Sequence, residues 1–380
     1  MSAREVFITA CGSVSCAGVG VAALARTLAE PEWAATLGLE RPDAPPLEVT
    51  TCRDFTVPAH LSPLVARRLD RPARLLAAAA HQALTAAGEP LPWPRDRIGV
   101  CAATWNAGTD ALVQVLRAVF LAGPQEAPPA QFPSTVANAP ASQLGILEKL
   151  TGPNLTFFEK QAGGLRAVTE AARLLRHGRV DAVLACGVDE AQWLNAESYE
   201  RLGVLRRGAR PGLLLGEGAV ALLLVGEPVA QALARLAGWG SAGAAAAPHR
   251  YPQTPASLVA ACRTALAAAQ IEAAEIDVVL SLTNGLPALD KLERAALLEL
   301  FGPHRPAVVG ATDRIGEGAF ASTLRCLLAV LMVAGQLEPR WAPPQHLANA
   351  GFPAIATRPR RALVTALAAG GSAIAAIVEG

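Results

Sequence analysis

Charged residues are scarce in this sequence, and the two signs nearly cancel. Of 380 residues, 17% are charged, with 33 Lys and Arg against 32 Asp and Glu. A chain without excess positive charge lacks the electrostatic footprint that nucleic acids and anionic membrane surfaces attract. We therefore expect neither as a partner, and any charged docking patch must be local.

Aromatic side chains are also few, at 4% of the chain, although 52% of the residues are hydrophobic. Alanine supplies much of that fraction, and small side chains are expected where helices pack closely on sheets. A chain of 380 residues can bury a large core, and this length favours two domains or one large duplicated domain. The composition predicts a compact α/β protein.

Metal-ligand and disulfide patterns are missing as well. The cysteines are odd in number and include no C-x-x-C pair, which argues against a disulfide framework or a zinc site and favours a reducing cytoplasm. The histidines show no metal-ligand spacing, so each is predicted to be a surface or capping residue. Asp189 and Glu190 follow a predicted strand and are expected in a solvated loop. We therefore expect no metal and no cofactor. The cysteines are Cys11, Cys16, Cys52, Cys101, Cys186, Cys262 and Cys326, and the histidines are His60, His81, His177, His249, His304 and His346.

No apolar run is suited to a membrane anchor. The box at 8–11 resembles a lipoprotein cleavage site, but no apolar stretch precedes it and Glu5 is charged. The uncharged stretch at 362–378 falls short of the roughly 20 residues of a spanning helix, and it carries Gly370 and Gly371. We predict no insertion into a membrane.

Short apolar runs alternate with helical patterns, and this alternation predicts α/β layering. The predicted strands lie at 6–10, 98–103, 182–186, 220–225, 278–282, 307–309, 362–367 and 373–378.

Two predicted helices carry clear end signals. Apolar residues keep helical spacing between Gly163 and Gly178, and Gly178 lies where a left-handed C-cap is expected. Asp290 and Glu293 have the spacing of a capping box, which predicts a second helix that begins at Asp290 and ends at Phe301.

Proline and glycine mark the breaks between elements. The stretch at 123–133 is predicted to be a loop, and the run at 226–228 marks a seam. We place the domain boundary near residue 235, which gives halves of 1–235 and 236–380. Each half contains a strand followed by a capped helix, and this indicates an internal duplication without a visible residue repeat.

Five segments in series resemble the β-ketoacyl synthase branch of the thiolase-fold superfamily. They are the first strand and turn at 6–15, a core strand at 97–100, FPSTVAN at 132–138, GPNLT at 152–156 and GEG at 216–218. The resemblance covers most of the chain. It implies an α/β protein with a thiolase-like, five-layered αβαβα fold made of two duplicated halves, and an obligate dimer.

The resemblance also implies where catalytic residues belong. Family members use a cysteine at a sharp strand-to-helix turn, assisted by two histidines and a lysine. On the family's motifs, this chain has Gln161 at the cysteine, Leu282 and Ile315 at the histidines, and Gly310 at the lysine. An amide cannot be acylated as a thiolate can. The resemblance therefore implies a chain that is not an enzyme by itself.

These replacements favour a chain length factor, a ketosynthase-like subunit that pairs with an active ketosynthase and helps to form its acyl tunnel. An acyl carrier protein would deliver the substrate. Such heterodimers serve polyketide and aryl polyene pathways, and the shortened loop at 210–212 favours a bacterial polyene system.

Three alternatives stay open at this point. A decarboxylating initiation ketosynthase also carries glutamine but keeps histidines, which Leu282 and Ile315 cannot replace. A relocated nucleophile would have to be Cys101, Cys186 or the pair at 159–160. A homodimeric scaffold that binds acyl groups or carrier protein needs no chemistry.

The resemblance assigns a separate role to the segment around Phe132. In the family this segment reaches across the dimer and lines the partner's acyl pocket. We predict that Phe132 limits the length of the tunnel, and simple interface packing is the alternative. The matching positions are Gln131, Phe132, Thr135 and Val136.

Overall fold

The computed structural model describes residues 4–30, 33–42, 44–88, 90–227, 232–338 and 341–380. Within them the strands are β1 (Phe7–Ser15), β2 (Gly18–Val19), β3 (Leu37–Arg41), β4 (Ala44–Thr50), β5 (Ile98–Ala103), β6 (Asn154–Phe157), β7 (Ala182–Asp189), β8 (Leu215–Gly216), β9 (Gly218–Val225), β10 (Ala234–Gly243), β11 (Val278–Leu280), β12 (Ala307–Val309), β13 (Arg361–Leu367) and β14 (Ser372–Glu379). The helices are α1 (Val21–Ala29), α2 (Pro63–Ala66), α3 (Arg71–Ala86), α4 (Thr109–Ala122), α5 (Ala139–Leu147), α6 (Gly163–Arg176), α7 (Trp193–Arg201), α8 (Ala256–Ala269), α9 (Pro287–Phe301), α10 (Thr312–Ile315), α11 (Ala319–Val333) and α12 (Gln345–Ala348).

The main sheet contains the same five-stranded unit twice. In the first half the strands lie side by side in the order β6-β5-β7-β9-β1, and in the second half in the order β12-β11-β13-β14-β10. When the five strands of each unit are numbered 1 to 5 in the order in which they occur along the chain, both spatial orders are 3-2-4-5-1. The senses agree as well, because strand 2 runs parallel to strands 3 and 4 in both halves, while strand 5 is antiparallel to its neighbours. The topology confirms the predicted duplication.

The two units meet through β1 and β10, which pair antiparallel at Phe7 with Arg235 and at Ile8 with Ala234. Helices α6 and α11 pack against each other and against strands of both units, so they form the central layer. Helix α3 covers the outer face of the first unit, and α8 and α9 cover the outer face of the second. These are the five layers of the expected αβαβα fold.

Helix α11 has no exposed residue, and Arg325 is the one charged side chain on it. A helix that is buried on every side belongs in a core. Its first turn packs on the start of α6, where a Cβ at Gly164 would lie 2.3 Å from Ala319 O.

The sequence located the buried strands but missed others. Each predicted strand overlaps an observed one, whereas β6, β10 and the small sheet β3-β4-β8 were not predicted. The predicted boundary near 235 lies at the start of β10, and residue 228, the last of the predicted seam at 226–228, lies outside the described residues. The division into 1–235 and 236–380 stays a prediction.

Helix α6 agrees with its prediction, and Gly178 takes the left-handed conformation with φ of 64°. Helix α9 does not, because it begins at Pro287 rather than Asp290. Proline suits the first helical turn, where its missing N–H bonds nothing. The carboxylate of Asp290 instead accepts a hydrogen bond from Thr283 Oγ1 at 3.2 Å, so the predicted capping box is wrong.

None of the helices within the described residues is long and apolar enough to cross a bilayer. The uncharged stretch at 362–378 forms most of β13 and β14.

Candidate functional site

Gln161 lies on the turn that leads from β6 into α6. A short 3-10 helix, Lys160–Ala162, precedes α6, and Lys160 adopts a positive φ of 46°. The Gln161 side chain is 4% exposed. Its Nε2 donates to Tyr251 Oη at 3.2 Å, and its Oε1 accepts from Ala369 N at 3.4 Å. Both ends of the amide are therefore bonded within the chain.

The positions matched to the family's histidines are buried and apolar. Leu282 follows β11 and Ile315 ends α10, and both side chains are inaccessible to solvent. Only their backbones make polar contacts, with Leu282 N donating to Glu293 Oε1 at 2.6 Å and Ile315 O accepting from Cys16 Sγ at 3.4 Å. Neither side chain can donate, accept or carry a proton.

Gly310, the position matched to the family's lysine, has no room for a side chain. A Cβ there would lie 2.9 Å from Pro344 Cγ and 3.1 Å from Thr283 Cγ2. The segment that carries Pro344 and α12 therefore closes over the place from which a lysine would extend.

A polar chain that the sequence did not predict connects Gln161 to the central helix. Asn284 Nδ2 donates to Glu317 Oε2 at 3.1 Å and lies 3.5 Å from Tyr251 Oη. Burial raises the pKa of Glu317, and the charge of Arg325 opposes that shift. Burial likewise lowers the pKa of Arg325, which Glu317 offsets. The carboxyl group of Glu317 and the guanidinium group of Arg325 are therefore both buried away from water.

Two signals in the sequence could have found this chain of contacts. Tyrosine occurs only twice, and one of the two is Tyr251, whose hydroxyl needs a partner when buried. The sequence GEG also occurs a second time, at 316–318, and packs on the first: Gly216 N donates to Glu317 O at 2.9 Å.

A cavity of about 230 Å³ lies beside Glu317, between the end of β7 and α7. Asp189 and Glu190 contribute to its wall, so the prediction that they form a solvated loop is wrong. Strand β7 continues through Asp189 into the interior. Asp189 is 2% exposed, and its Oδ1 accepts from Thr104 Oγ1 and from the backbone N–H groups of 105 and 106.

Burial changes the charge state of these two carboxyl groups. It raises the pKa of Asp189 to about 6, against the opposing effect of its backbone hydrogen bonds. It raises the pKa of Glu190 to about 8, and repulsion by Asp110 adds to the effect. Glu190 is therefore mainly protonated at neutral pH.

The candidates for a relocated nucleophile are poorly placed. Cys101 and Cys186 are fully buried in β5 and β7. Burial raises the pKa of the Cys101 thiol to about 12 and raises that of Cys186 as well, so neither forms a reactive thiolate at neutral pH. Glu159 accepts a hydrogen bond from Arg166 at 2.9 Å and another from Ser372 Oγ at 2.7 Å.

The segment around Phe132 is a short 3-10 helix on the surface, Phe132–Ser134. Phe132 is 66% exposed and Val136 is 50% exposed. Thr135 Oγ1 donates to Phe132 O at 2.8 Å and so fixes the turn. Gln131 lies at the start of this turn and lines a surface groove with Arg71 and Arg74.

Further apolar side chains surround Phe132. Helix α4 packs against the same turn and exposes leucine or phenylalanine at every fourth position along one side. Helix α5 contacts both the turn and β6, which is the edge strand of the main sheet. An exposed edge and a contiguous apolar surface are typical of a protein interaction site. We call this surface the apolar face; its exposed residues are Leu112, Leu116, Phe120, Phe132, Val136, Ile146, Leu155 and Phe158.

One histidine departs from its prediction as a surface or capping residue. His346, on α12, is mostly buried and hydrogen-bonds the carboxylate of Glu293 through Nε2 at 3.0 Å. Its Nδ1 lies 3.7 Å from Asp290 Oδ1. Asp290 and Glu293 on α9 therefore both face His346 on α12. Helix α12 directly follows Pro344, which packs on Gly310.

Comparison with known proteins agrees with this architecture. The model of the β-ketoacyl synthase N-terminal domain matches residues 3–230, and that of the β-ketoacyl synthase C-terminal domain matches residues 233–346. The tetracenomycin polyketide synthase ketoacyl synthase beta subunit of Streptomyces glaucescens is 29% identical over 349 residues, which cover 82% of this chain and 84% of the relative. The 3-oxoacyl-[acyl-carrier-protein] synthase 2 of Vibrio harveyi is 26% identical, covering 89% of this chain and 88% of the relative.

A solved structure, described as the ishigamide ketosynthase/chain length factor, has the same fold. It superimposes with a TM-score of 0.87 at 22% identity and covers 100% of this chain and 99% of its own. The two matched domains together span most of the chain, and only β13 and β14 of the duplicated units lie beyond the matched residues. The chain therefore belongs to the β-ketoacyl synthase family.

Proposed function

We propose that this protein is the non-catalytic chain length factor of a two-subunit ketosynthase. It binds an active β-ketoacyl-[acyl-carrier-protein] synthase, which performs acylation, decarboxylation and condensation, and it forms part of the wall of the acyl tunnel. The observation that carries the proposal is Gln161, which is buried and bonded at both ends of its amide.

The surroundings of Gln161 support a pocket without chemistry. Acyl transfer needs a nucleophile, a base and donors for the oxyanion. The side chains of Leu282 and Ile315 supply none of these, and Gly310 leaves no space for a lysine. Among the ionisable groups near the pocket, burial raises the pKa of the Tyr251 hydroxyl, and the buried Glu317 and Arg325 offset each other's charge.

The apolar face supports an obligate partner. Exposed leucine and phenylalanine side chains on α4, with the open edge of β6, are stable in water only when another surface covers them. The beta subunit from Streptomyces glaucescens, named as part of a polyketide synthase, makes a ketosynthase the favoured partner. We expect an acyl carrier protein to deliver the substrate, in a cytoplasmic polyketide or aryl polyene pathway.

One experiment tests the proposal directly. The chain is expressed with and without its neighbouring ketosynthase, and association and malonyl-carrier decarboxylation are measured. We expect a stable heterodimer and no decarboxylation by this chain alone above a Gln161→Ala control. Decarboxylation that depends on Gln161 would contradict the proposal and favour an initiation ketosynthase. A homodimer that ignores the ketosynthase would favour a scaffold.

A further inference from the structure

Three metal-ligating side chains meet on the outer surface of the first half, away from Gln161. His60 lies in the loop between β4 and α2, His81 on α3, and Glu148 caps the C-terminus of α5. One nitrogen or oxygen atom from each lies within 4.8 Å of the others. The three residues are far apart in the sequence, so no short metal-binding motif is visible there.

We propose that His60, His81 and Glu148 bind a divalent transition metal ion of the zinc type. Two imidazole nitrogens and one carboxylate oxygen are a ligand set that Zn²⁺ accepts, with water in the remaining position. Mg²⁺ and Ca²⁺ prefer oxygen ligands only. The set comes from three separate segments, so the ion joins a loop to the ends of two helices.

One carboxylate–imidazole contact of the proposed ligand set is already in place. His81 Nδ1 lies 3.5 Å from Glu148 Oε1, so the carboxylate already faces one imidazole.

The ring geometry shows what binding must change. The two imidazoles are stacked, with centroids 3.7 Å apart and planes 13° from parallel. A nitrogen lone pair lies in the plane of its ring, so parallel rings direct their lone pairs side by side rather than to one point. One ring must turn about its χ2 angle. His60 is exposed in a loop, and the rotation of its ring would break the stacking on His81.

The site lies close to the apolar face. Helix α5 leads from Ala139 to Glu148, and the residues after it continue into β6, the edge strand. Arg95 Nη1 donates to Glu148 O at 3.1 Å and already holds this corner. A bound ion would fasten the end of α5 to α3, and so would fix the start of the edge strand.

Zinc titration of the full-length chain tests the proposal, in complex with its ketosynthase if the two purify together. We expect one equivalent of Zn²⁺ to bind by calorimetry, and Co²⁺ to give the visible absorption of a coordinated ion. Loss of an outer-shell group already costs about 10- to 100-fold in metal affinity. His60→Gln and Glu148→Gln should therefore each weaken binding by at least about tenfold.

His177→Gln is the matched control, because His177 is exposed at the end of α6 and outside the cluster. It should bind Zn²⁺ as the wild type does. Zinc should also raise the thermal midpoint of the wild type and the control but not that of His60→Gln. Equal binding by all four proteins would assign the ion to other surface groups, and absence of one-to-one binding would overturn the site outright. His60 is exposed, so its variant remains informative even if His81→Gln does not fold.

Discussion

Phe132 is the bulkiest side chain of the turn that precedes α5, and it points away from its own core. Thr135 fixes the turn from within, while the ring remains two-thirds exposed. A side chain held in this way has no packing role in its own chain. It is therefore suited to contact a partner, and its size sets how far it can extend into a tunnel.

We predict that Phe132→Ala in the reconstituted pair shifts the products to longer chains, because the shortened side chain removes the stop. Product lengths are measured by mass spectrometry. Phe120→Ala removes another exposed ring, at 80% against 66% for Phe132, from the same apolar face and should leave the length distribution unchanged. If both variants weaken association alike and neither alters product length, Phe132 serves only for interface packing.

The contribution of His346 to the stability of the fold depends on pH. Burial alone would lower its pKa, but Glu293, Asp290 and the more distant Asp313 outweigh burial, and the pKa is raised above its ordinary value of 6.5. A raised pKa in the folded state stabilises the protein below pH 6.5, and this contribution is lost as the pH rises through the folded value.

We predict that His346→Gln lowers the free energy of unfolding by about 1–2 kcal/mol at pH 6, because it removes a charged hydrogen bond to Glu293. The difference should be smaller at pH 8.5 than at pH 6, because the imidazole loses its proton as the pH rises through its raised pKa. Urea unfolding at the two pH values measures it. A difference that is the same at both would show that His346 acts through packing alone.

Helix α4 shows how an element can be folded for a partner. It buries Ala111 and Val115 against its own chain, while Leu112, Leu116 and Phe120 face outward. Residues four apart lie on the same side of a helix. The helix therefore has one apolar side for its core and a second one that needs a partner.

We predict that Leu116→Glu abolishes association with the ketosynthase and leaves the chain folded. A carboxylate cannot be buried unpaired in an apolar interface, whereas position 116 is 42% exposed in the isolated chain, where the carboxylate can reach water. Size-exclusion chromatography of the co-expressed pair measures association. Ala268→Glu adds the same charge to an exposed position of α8, on the outer layer of the other half, and should pair normally. Normal pairing by Leu116→Glu would exclude α4 from the interface.

The helices and strands could be predicted from the sequence where one signal, such as an apolar stripe or an end cap, has no competitor. Helix α6 keeps one apolar stripe and ends on a glycine with positive φ. Helix α9 was placed three residues late, since a capping-box spacing competes with a proline at the first turn. Strand β10 was missed because its glycines at 238 and 240 resemble a loop, although they allow α8 to approach. A Cβ at either would lie within 2.4 Å of a carbonyl oxygen in α8.

At the scale of the whole molecule, Arg325 links the central layer to the second sheet. It is fully buried in α11, donates to Thr365 O in β13 at 3.2 Å and to Thr312 Oγ1 at 2.9 Å, and offsets the charge of Glu317. Removing Arg325 leaves the buried oxygens of Thr365 and Thr312 without this donor.

We predict that Arg325→Met destabilises the protein by about 1–3 kcal/mol for each buried oxygen that loses its donor. If the electrostatic interaction with Glu317 also contributes, the double variant Arg325→Met/Glu317→Gln should lose less than the sum of the two single variants. Denaturant unfolding of the four proteins in the cycle measures the coupling. Additive losses would show that Arg325 and Glu317 act independently.

The environment of the candidate site could not be predicted from the sequence. Motif order assigned Gln161, Leu282, Ile315 and Gly310 to the family's catalytic positions, and this assignment stays a prediction. The contact between Gln161 and Tyr251 joins residues from opposite halves, and no local pattern reports such a distance. Asp189 was expected in solvent for the same reason, since its burial depends on Ala319 N, which donates to it from α11 at 2.5 Å.

The repeated strand order has one more consequence. In the proposed heterodimer, the same five-stranded unit would occur four times, twice in each subunit. With the fold repeated in this way, one subunit could lose its catalytic side chains and keep its fold. It would then still form the surface on which the active subunit packs. Selection on this chain would then act on its surface and its cavities. Gln161 and Leu282 would stand at former catalytic positions because the partner subunit performs the catalysis.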